Sequence, residues 1–408
     1  MISRPIVPRV VTSLVCAALA LVVAGCSGGV TTVPAPRVVG TTLAYLPQAA
    51  SGVEIFSSTV GGNVPTASSA DVVGLDDAGE LWVLTFPGNA ASGSGSVTKY
   101  SPSAIGYPPT YTKSTATYVP TNPAGLGFLF VSGAGEVVAA SSSTAGIAYD
   151  VWDPGHTGAP SRTISVTAGP NSFGLVTHDG TLYAPALVAC GSNMCAQMQV
   201  FPAGSATPRI IAETLVPAAQ QSNFVANFEA VGPDGTVYVD ENTFLSPDPL
   251  EGLYVYPPTG PERFVSVGAE APQGIDVDSA GNVYVINNNT NYNTSSPSLD
   301  TAKNIAVLTP GAGSVLRRIT GNVADSYTIA VAGDGTTYFS DATLPSLNLA
   351  GGTFVAGPGA TTSTTQIASG ESYDEVLWDG ARESTSVRRS ATALGSGASH
   401  SGSRSFHR

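Results

Sequence analysis

The chain has 408 residues, of which 11% are charged, and its 46 glycines and 30 prolines make up roughly a fifth of it. Few charged helix-formers and many turn-formers argue against helical bundles and coiled coils, and favour short strands joined by turns. The net charge of −13 argues against a nucleic-acid partner, because phosphate binding needs a basic surface.

The first 25 residues have the pattern of a signal peptide. Two arginines precede an apolar run over residues 10–23, which is short and wrongly flanked for a membrane span. The run ends in Val-Ala-Gly-Cys at 23–26, which resembles the bacterial lipobox. That resemblance implies cleavage before Cys26 and acylation (palmitate) of its sulfur. An ordinary secretory signal and an uncleaved N-terminal anchor are the alternatives.

The segment that follows the signal, residues 26–39, is predicted to be a flexible tether. Of the remaining cysteines, Cys190 and Cys195 are predicted to form a disulfide, because isolated cysteine pairs outside the cytoplasm usually bond. Zinc is the competing interpretation, although no histidine flanks the pair and no second cysteine pair exists.

A sequence motif is repeated through residues 40–380. It consists of an apolar residue, a turn that ends in glycine and a run of β-branched or aromatic residues. The motif is typical of a β-hairpin, because the glycine of Asp-Gly and Ala-Gly supplies the positive φ of a tight turn. We name the strand before each glycine a and the strand after it b. The anchoring glycines are Gly79, Gly135, Gly180, Gly235, Gly281, Gly335 and Gly380.

A third strand c and a polar strand d follow each b strand, so the period of 45 to 56 residues predicts four-stranded β-propeller blades. The N-terminus has strands of types b and c but no a strand, whereas the C-terminus has an a strand over 373–377 and nothing after it. We therefore predict an all-β, seven-bladed ring of antiparallel four-stranded blades, closed by the two chain ends sharing one blade. Six or eight blades, or a flat β-solenoid, are the alternatives.

The phrase Gly274–Val285, GIDVDSAGNVYV, resembles the NHL repeat. The chain as a whole is similar to secreted bacterial propellers of the NHL and gluconolactonase-like kind. The resemblance implies the propeller fold, but it leaves function open, because propellers serve as binding modules, hydrolases and lyases. Gluconolactonase-like hydrolases hold a divalent metal in the channel with Glu, Asn and Asp, and these ligands do not match this chain residue by residue.

The b–c loops are predicted to form a recognition surface around the channel mouth, because variable loops on a repeating scaffold often carry function. They are the segment 87–96, the cysteine pair of blade three, the acidic segment 240–249 and the asparagine-rich segment 287–293. The Asn and Thr residues of 287–294, with Tyr292, suggest a sugar-binding surface. The alternative is that these loops are exposed to solvent and have no binding role.

Two acids stand six residues before their anchoring glycines, at Glu229 and Asp374, where the other blades have apolar residues or glycine. This position is predicted to line the channel, so the two acids would face each other and hold Ca²⁺, with Asn227 or Gln273 nearby. The alternatives are that one or both acids are solvated, or that Glu375 points inward instead of Asp374.

Signals of catalysis are otherwise scarce. His178 and His156 lie in turns on the far side, and His400 and His407 lie in the C-terminal tail, so a Ser-His-Asp triad is hard to build. Residues 381–408 are predicted to be a disordered tail rich in Ser, Gly and Arg, either a solvated extension or a weak tether to anionic polymer or lipid.

The sequence therefore predicts a lipid-anchored, extracytoplasmic propeller on the cell membrane or outer membrane, which binds or scaffolds without catalysis and is a monomer. Its partner would be an unidentified protein or glycan on the b–c loop face. A metal-dependent lactonase or hydrolase using Glu229 and Asp374 is the alternative. Residues 26–380 hold 28 acids and nine basic residues, so the propeller is more acidic than the whole chain.

Overall fold

The architecture was established from a computed structural model of the chain. It describes residues 42–47, 52–57, 61–65, 72–85, 94–102, 110–167, 174–216, 225–242, 252–265, 272–287, 304–323, 326–341, 351–363, 365–369 and 372–378. The predicted signal peptide and tether, Cys26, Gly380 and residues 381–408 lie outside these residues.

The described residues form 28 strands and two short 3₁₀ turns. The N-terminal strands are β1 (Thr42–Pro47), β2 (Gly52–Ser57) and β3 (Gly61–Pro65). Blade one has β4 (Val72–Leu75), β5 (Leu81–Thr85), β6 (Ser96–Pro102) and β7 (Tyr111–Lys113); a 3₁₀ turn, η1 (Pro123–Gly125), follows. Blade two has β8 (Leu126–Val131), β9 (Val137–Ser143), β10 (Gly146–Trp152) and β11 (Arg162–Val166). Blade three has β12 (Leu175–Val176), β13 (Leu182–Cys190), β14 (Asn193–Phe201) and β15 (Arg209–Val216).

The second half of the chain repeats the same order. Blade four has β16 (Val225–Val231), β17 (Val237–Asn242), β18 (Gly252–Tyr256) and β19 (Arg263–Val265). Blade five has β20 (Pro272–Val277), β21 (Val283–Asn287), β22 (Asn304–Leu308), the 3₁₀ turn η2 (Pro310–Ala312) and β23 (Val315–Ile319). Blade six has β24 (Ser326–Val331), β25 (Thr337–Asp341), β26 (Gly352–Ala356) and β27 (Thr365–Ser369), and β28 (Ser372–Trp378) follows.

Each of the six blades is a four-stranded antiparallel sheet of consecutive strands, and the order a-b-c-d holds in all of them. The prediction of an all-β propeller with antiparallel four-stranded blades is confirmed, and six continuous blades lie within the predicted range. In one further sheet, called the composite sheet here, β28 lies beside β1, followed by β2 and β3.

The composite sheet joins the two ends of the chain. Strand β28 pairs antiparallel with β1, with Leu43 opposite Leu377 and Thr42 opposite Trp378. This is the pairing between C-terminal and N-terminal strands that the sequence pattern predicts. The innermost strands contact one another in a closed series that runs β4, β8, β12, β16, β20, β24, β28 and back to β4.

Each described a–b turn contains a glycine, as predicted from the repeated motif. The six described anchoring glycines have φ between 77° and 89°, in the left-handed region that other residues rarely adopt. Because strands alternate in direction, the a–b and c–d turns share one end of each blade, here called the turn end. The b–c loops and the d–a connections lie at the other end, here called the loop end.

The core lies between neighbouring blades, where ring side chains from strand b also make polar contacts across the interface. Tyr238 and Tyr284 are each 1% exposed, and Trp82 is 4% exposed. The Tyr238 hydroxyl accepts a hydrogen bond from the backbone N–H of Gly311 in the next blade, at 3.1 Å. Apolar burial therefore packs the blades together, while these bonds fix their relative position.

Arginines of strand d add further contacts between blades. The Arg263 guanidinium donates to the carbonyl of Gly311 in blade five. Arg317 Nε donates to the carbonyl of Ala360 in blade six at 3.2 Å, and its guanidinium lies 5.6 Å from the centre of the Tyr284 ring. Among the described residues, no helix has the length and apolar character that crossing a membrane requires.

Candidate functional site

The loop end of blade five carries a row of buried polar side chains. Asn287 is the last residue of β21 and stands opposite Asn304, the first residue of β22. The two side chains are only 2% and 3% exposed. Buried amides are costly unless each is hydrogen-bonded, so their presence at a strand end needs a reason.

Arg318 of β23, which is exposed, lies beside these two buried amides. It pairs with Ala306, two residues beyond Asn304 on β22, so Arg318, Asn304 and Asn287 share one face of the blade. Arg318 Nη1 donates to Asn304 Oδ1 at 2.8 Å, which fixes the orientation of that amide. We call Asn287, Asn304 and Arg318 the polar row.

One acceptor in the polar row is unsatisfied. Asn287 Oδ1 is buried and has no hydrogen-bond partner among the described residues. A buried acceptor left without a donor costs roughly 1–3 kcal/mol. A ligand that donates a hydrogen bond here would recover that cost, and the guanidinium and amide groups beside it suit hydroxyl and carbonyl oxygens.

Buried acids elsewhere are engaged in structural contacts. At the loop end of blade six, Ser326 Oγ donates to Asp341 Oδ1 at 3.1 Å. Asp150 is fully buried and accepts hydrogen bonds from the backbone N–H of Thr121 at 2.6 Å and from the Thr163 hydroxyl at 2.7 Å. These contacts tie strands and connections together.

A carboxylate pair lies at the turn end of blade one. Asp76 Oδ1 accepts hydrogen bonds from the backbone N–H groups of Ala78 and Glu80, at 3.0 and 2.8 Å. Burial, aided by the nearby charge of Glu80, raises the pKa of Asp76 to about 6. Glu80 in turn pairs with Lys99 at 3.3 Å. Through its two hydrogen bonds to the backbone, Asp76 stabilises the a–b turn of blade one.

The predicted disulfide is present. Cys190 and Cys195 are bonded across the turn of the hairpin β13–β14, at the loop end of blade three. Each of these strands has nine residues, whereas β21 and β22 have five each, so this hairpin extends beyond the usual blade length. The disulfide closes the tip of this extension.

The predicted metal ligands lie where the structure describes the backbone only. Glu229 is in β16, at a shift of strand register between Phe228 and Ala230, and Asp374 is in β28. Their side chains, and those of Asn227 and Gln273, fall outside the described part of the chain. Within the described residues, no group of three or more Asp, Glu, His or Cys side chains is placed to hold a metal ion.

The position that these acids share in the repeat does not line a solvent-filled bore in the blades where it is described. Leu129, Ile275 and Ile329 occupy it in three blades, are at most 4% exposed, and pack in the hydrophobic clusters between blades. In those blades the position is therefore apolar and buried, and the channel-facing placement of Glu229 and Asp374 stays a prediction.

The b–c loops are only partly described. Segments 243–251 and 288–303 lie outside the described residues, as does most of 87–96. Sequence reasoning located Asn287, because it begins a run of asparagines. It missed Asn304 and Arg318, which lie 17 and 31 residues further along the chain and join Asn287 only through strand pairing.

The two described histidines lie in turns on the side opposite the b–c loops, as predicted. His178 is in the a–b turn of blade three, where its Nε2 lies 3.3 Å from Asp77 Oδ2. His156 is in the c–d turn of blade two, where its Nε2 lies 3.0 Å from the carbonyl oxygen of Ala159. Both turns belong to the turn end.

No family model and no curated protein matches the chain. Solved structures do resemble it. A protein from Lactobacillus plantarum has a TM-score of 0.54 at 11% identity, over 83% of this chain and 99% of that one. Puromycin hydrolase has a TM-score of 0.52 at 12% identity, over 82% of this chain and 53% of that one.

A gluconolactonase from Xanthomonas campestris is more distant, with a TM-score of 0.39 at 13% identity, over 76% of this chain and 95% of that one. At such low identities the first two similarities show the fold alone, and the third carries no argument. Together, the sheet topology and these similarities show that the chain is an all-β propeller of antiparallel four-stranded blades.

Proposed function

We propose that this protein is a lipid-anchored, extracytoplasmic binding propeller without catalysis of its own, in which the composite sheet serves as the seventh blade. The six continuous blades and the closed series of innermost strands support this ring. Closure leaves no innermost strand edge exposed. A rigid ring of this kind is suited to hold a recognition surface at its loop end.

The ligand that we propose for the loop end is a polyhydroxylated molecule, such as an envelope glycan. The observation that carries this proposal is the buried Asn287 Oδ1, which has no partner among the described residues and stands in the polar row. A sugar hydroxyl can donate to this oxygen while its own oxygen accepts from Arg318. The asparagine-rich segment that follows Asn287 in sequence supplies further amides.

Glycan binding can be tested on a soluble form of the full chain in which Cys26→Ser removes the lipid site. We expect it to bind at least one glycan on an array of cell-wall fragments and oligosaccharides. Asn287→Ala should weaken that binding by about five- to tenfold, the value of one buried hydrogen bond. Asn193→Ala, which alters an exposed asparagine at the loop end of blade three, is the matched control. A chain that binds no glycan would overturn the proposal.

The proposed location rests on Cys26 and on the disulfide. Disulfides persist mainly in oxidising compartments, so the Cys190–Cys195 bond agrees with an extracytoplasmic site. Several acyl chains on Cys26 would hold the protein at a membrane, because each buried CH₂ contributes about 0.8 kcal/mol.

The anchor can be tested by fractionating cells that express the chain. We expect the wild type in the membrane fraction, labelled by radioactive palmitate, and Cys26→Ser in the soluble fraction without label. Cys190→Ser with Cys195→Ser, which keeps the lipid site, should remain membrane-bound. Membrane binding of the Cys26→Ser chain in cells, with no label on the wild type, would refute lipidation.

The rival function, a metal-dependent hydrolase, depends on Glu229 and Asp374. Thermal unfolding with Ca²⁺, Mg²⁺ and Zn²⁺ separates the two functions. We expect no stabilisation by any of these ions. A metal-dependent rise of the melting temperature that Glu229→Gln abolishes would favour the hydrolase.

A further inference from the structure

The guanidinium of Arg318 is a cation that stands at the polar row. Arg318 is exposed and donates from Nη1 to Asn304 Oδ1 at 2.8 Å. The ion pairs in the described part of the chain involve other basic side chains, and none of them includes Arg318. A guanidinium carries five N–H donors in a fixed plane, so most of the donors of Arg318 are open to a ligand.

The neighbouring arginine in the same strand has a different role. Arg317 Nη2 donates to the Tyr284 hydroxyl at 3.1 Å, and Arg317 Nε donates to the carbonyl of Ala360 in blade six. The same Tyr284 hydroxyl lies 3.2 Å from Asp278 Oδ2, so a carboxylate balances the charge of Arg317 at the turn end. Arg318 follows Arg317 on the strand and therefore faces the other side of the blade, where the two buried amides lie.

The strands that carry the polar row set the distance between its groups. Strands β21, β22 and β23 are consecutive in one sheet, and neighbouring strands lie about 4.8 Å apart. Because the Arg318 side chain reaches Asn304 on the middle strand, its guanidinium lies within two strand spacings, about 10 Å, of Asn287. A molecule of one or two sugar units can therefore contact the buried Asn287 Oδ1 and the guanidinium together.

These two groups select different chemical groups on a ligand. Asn287 Oδ1 requires a donor such as a hydroxyl, because an amide oxygen only accepts hydrogen bonds. A guanidinium pairs with a carboxylate through two parallel N–H bonds, and such charge-assisted bonds are about twice as strong as neutral ones. One arginine balances the single charge of a carboxylate, whereas a phosphate monoester carries nearly two charges. A ligand with hydroxyl and carboxylate groups therefore fits the polar row better than a neutral sugar does.

We propose that the polar row binds an acidic sugar, a uronic acid unit whose hydroxyl donates to Asn287 Oδ1 and whose carboxylate pairs with Arg318. This inference rests on the glycan-binding function proposed above and names the class of glycan. Asn304 is a positioning residue, because its bond to Arg318 holds the guanidinium beside the buried amides. The negative charge of the whole propeller is compatible with such a ligand, since exposed charges more than about 8 Å away are largely screened at physiological ionic strength.

The test compares two sets of probes that differ in one chemical group. The first is a panel of oligosaccharides that contain glucuronic or galacturonic acid, and the second is the same panel after chemical reduction of the carboxylates to hydroxymethyl groups. Titration calorimetry with the full chain carrying Cys26→Ser measures the affinities. We expect at least one acidic probe to bind about tenfold or more tightly than its reduced counterpart, the value of a charge-assisted pair.

Four variants assign this difference to the polar row. Arg318→Gln should weaken binding of the acidic probe by about tenfold or more and affect the reduced probe much less, whereas Arg318→Lys should keep only part of the affinity, because lysine lacks the planar fork. Asn287→Ala should weaken binding of both probes to the same extent, since its hydroxyl contact is common to them. Arg209→Gln is the matched control and should leave both affinities unchanged, because Arg209 is an exposed arginine that begins β15 at the turn end. Equal melting temperatures show that all variants are folded.

The outcomes separate this inference from the proposed function. Equal binding of acidic and reduced probes, or an equal loss of both in Arg318→Gln, would overturn the inference and leave glycan binding intact. Binding of neutral glycans alone would have the same meaning. Tighter binding of a phosphodiester-linked glycan than of every acidic probe would assign Arg318 to phosphate and also overturn the inference. If no glycan of any kind binds, the proposed function fails as well.

Discussion

Equivalent aspartates of the a–b turns are surrounded by different numbers of donors. Asp278 accepts hydrogen bonds from the backbone of Ala280 and Asn282, from the Asn282 side-chain amide and from the Tyr284 hydroxyl. Asp76 receives the two backbone bonds alone, and its strand b has tryptophan where blade five has Tyr284. Its burial is therefore poorly compensated, which explains why the pKa of Asp76 rises to about 6.

The pKa of Asp76 predicts how stability depends on pH. The folded state holds the proton up to about pH 6, whereas the unfolded state releases it near pH 4. The stabilisation from this group is therefore complete below pH 4 and is lost as the pH rises through 6. Asp76→Asn keeps the oxygen acceptor and removes the charge, so we expect it to raise the free energy of unfolding at pH 7 by about 1–2 kcal/mol.

Urea unfolding of wild type and Asp76→Asn between pH 4 and 8 checks this prediction. The difference between the two chains should grow between about pH 4 and pH 6 and level off above pH 6. Asp234→Asn, in the equivalent turn of blade four, is the matched control, because Asp234 is exposed and bonds to Thr236. A constant difference across the pH range would contradict the assignment to Asp76.

At the level of secondary-structure elements, backbone hydrogen bonds connect the a–b turns of neighbouring blades. The N–H of Asp77 donates to the carbonyl of Gly133 in the next blade at 3.0 Å, and the N–H of Gly133 donates to the carbonyl of His178 in the blade after it at 2.9 Å. This close approach leaves no room for a side chain at Gly133, since a Cβ there would lie 2.0 Å from His178 Cε1.

Gly133→Ala should therefore lower the free energy of unfolding by about 1–3 kcal/mol, because the turns of blades two and three must move apart. Gly357→Ala is the control, because a Cβ at Gly357 meets nothing within 4 Å. Thermal unfolding of both variants checks this. Adding His178→Ala to Gly133→Ala should restore part of the lost free energy of unfolding. If the double variant is no more stable than Gly133→Ala, the His178 imidazole is not the cause of the steric clash.

Sequence patterns predict these elements well where their cause is local. The spacing of glycines such as Gly281 predicts the a–b turns, because a positive φ is a property of the residue itself. The Cys190–Cys195 bond is likewise short in sequence. The polar row is different, because Asn304 and Arg318 meet Asn287 through strand register. The buried position of Ile275 depends on packing between blades, which the repeat does not encode locally.

For the whole molecule, closure depends on the pairing of β28 with β1, and this pairing makes the C-terminal strand structurally necessary. A chain that ends at residue 370 lacks β28, so we expect its ring to open and its melting temperature to fall by several degrees or more. A chain that ends at residue 380 keeps β28 and should melt with the full-length protein. Calorimetry of the three chains checks this, and equal melting temperatures would refute closure by the composite sheet.

The pairing of Thr42 with Trp378 also has a consequence for biosynthesis. These partners are separated by 336 residues, so at about 5–20 residues per second a ribosome needs roughly 20–70 s to make the second after the first. For that whole interval β1 has no β28 to pair with, and the edges of the nascent ring stay open. Closure of the ring therefore takes place only after β28 has been synthesised. Until then the nascent chain must be protected from aggregation.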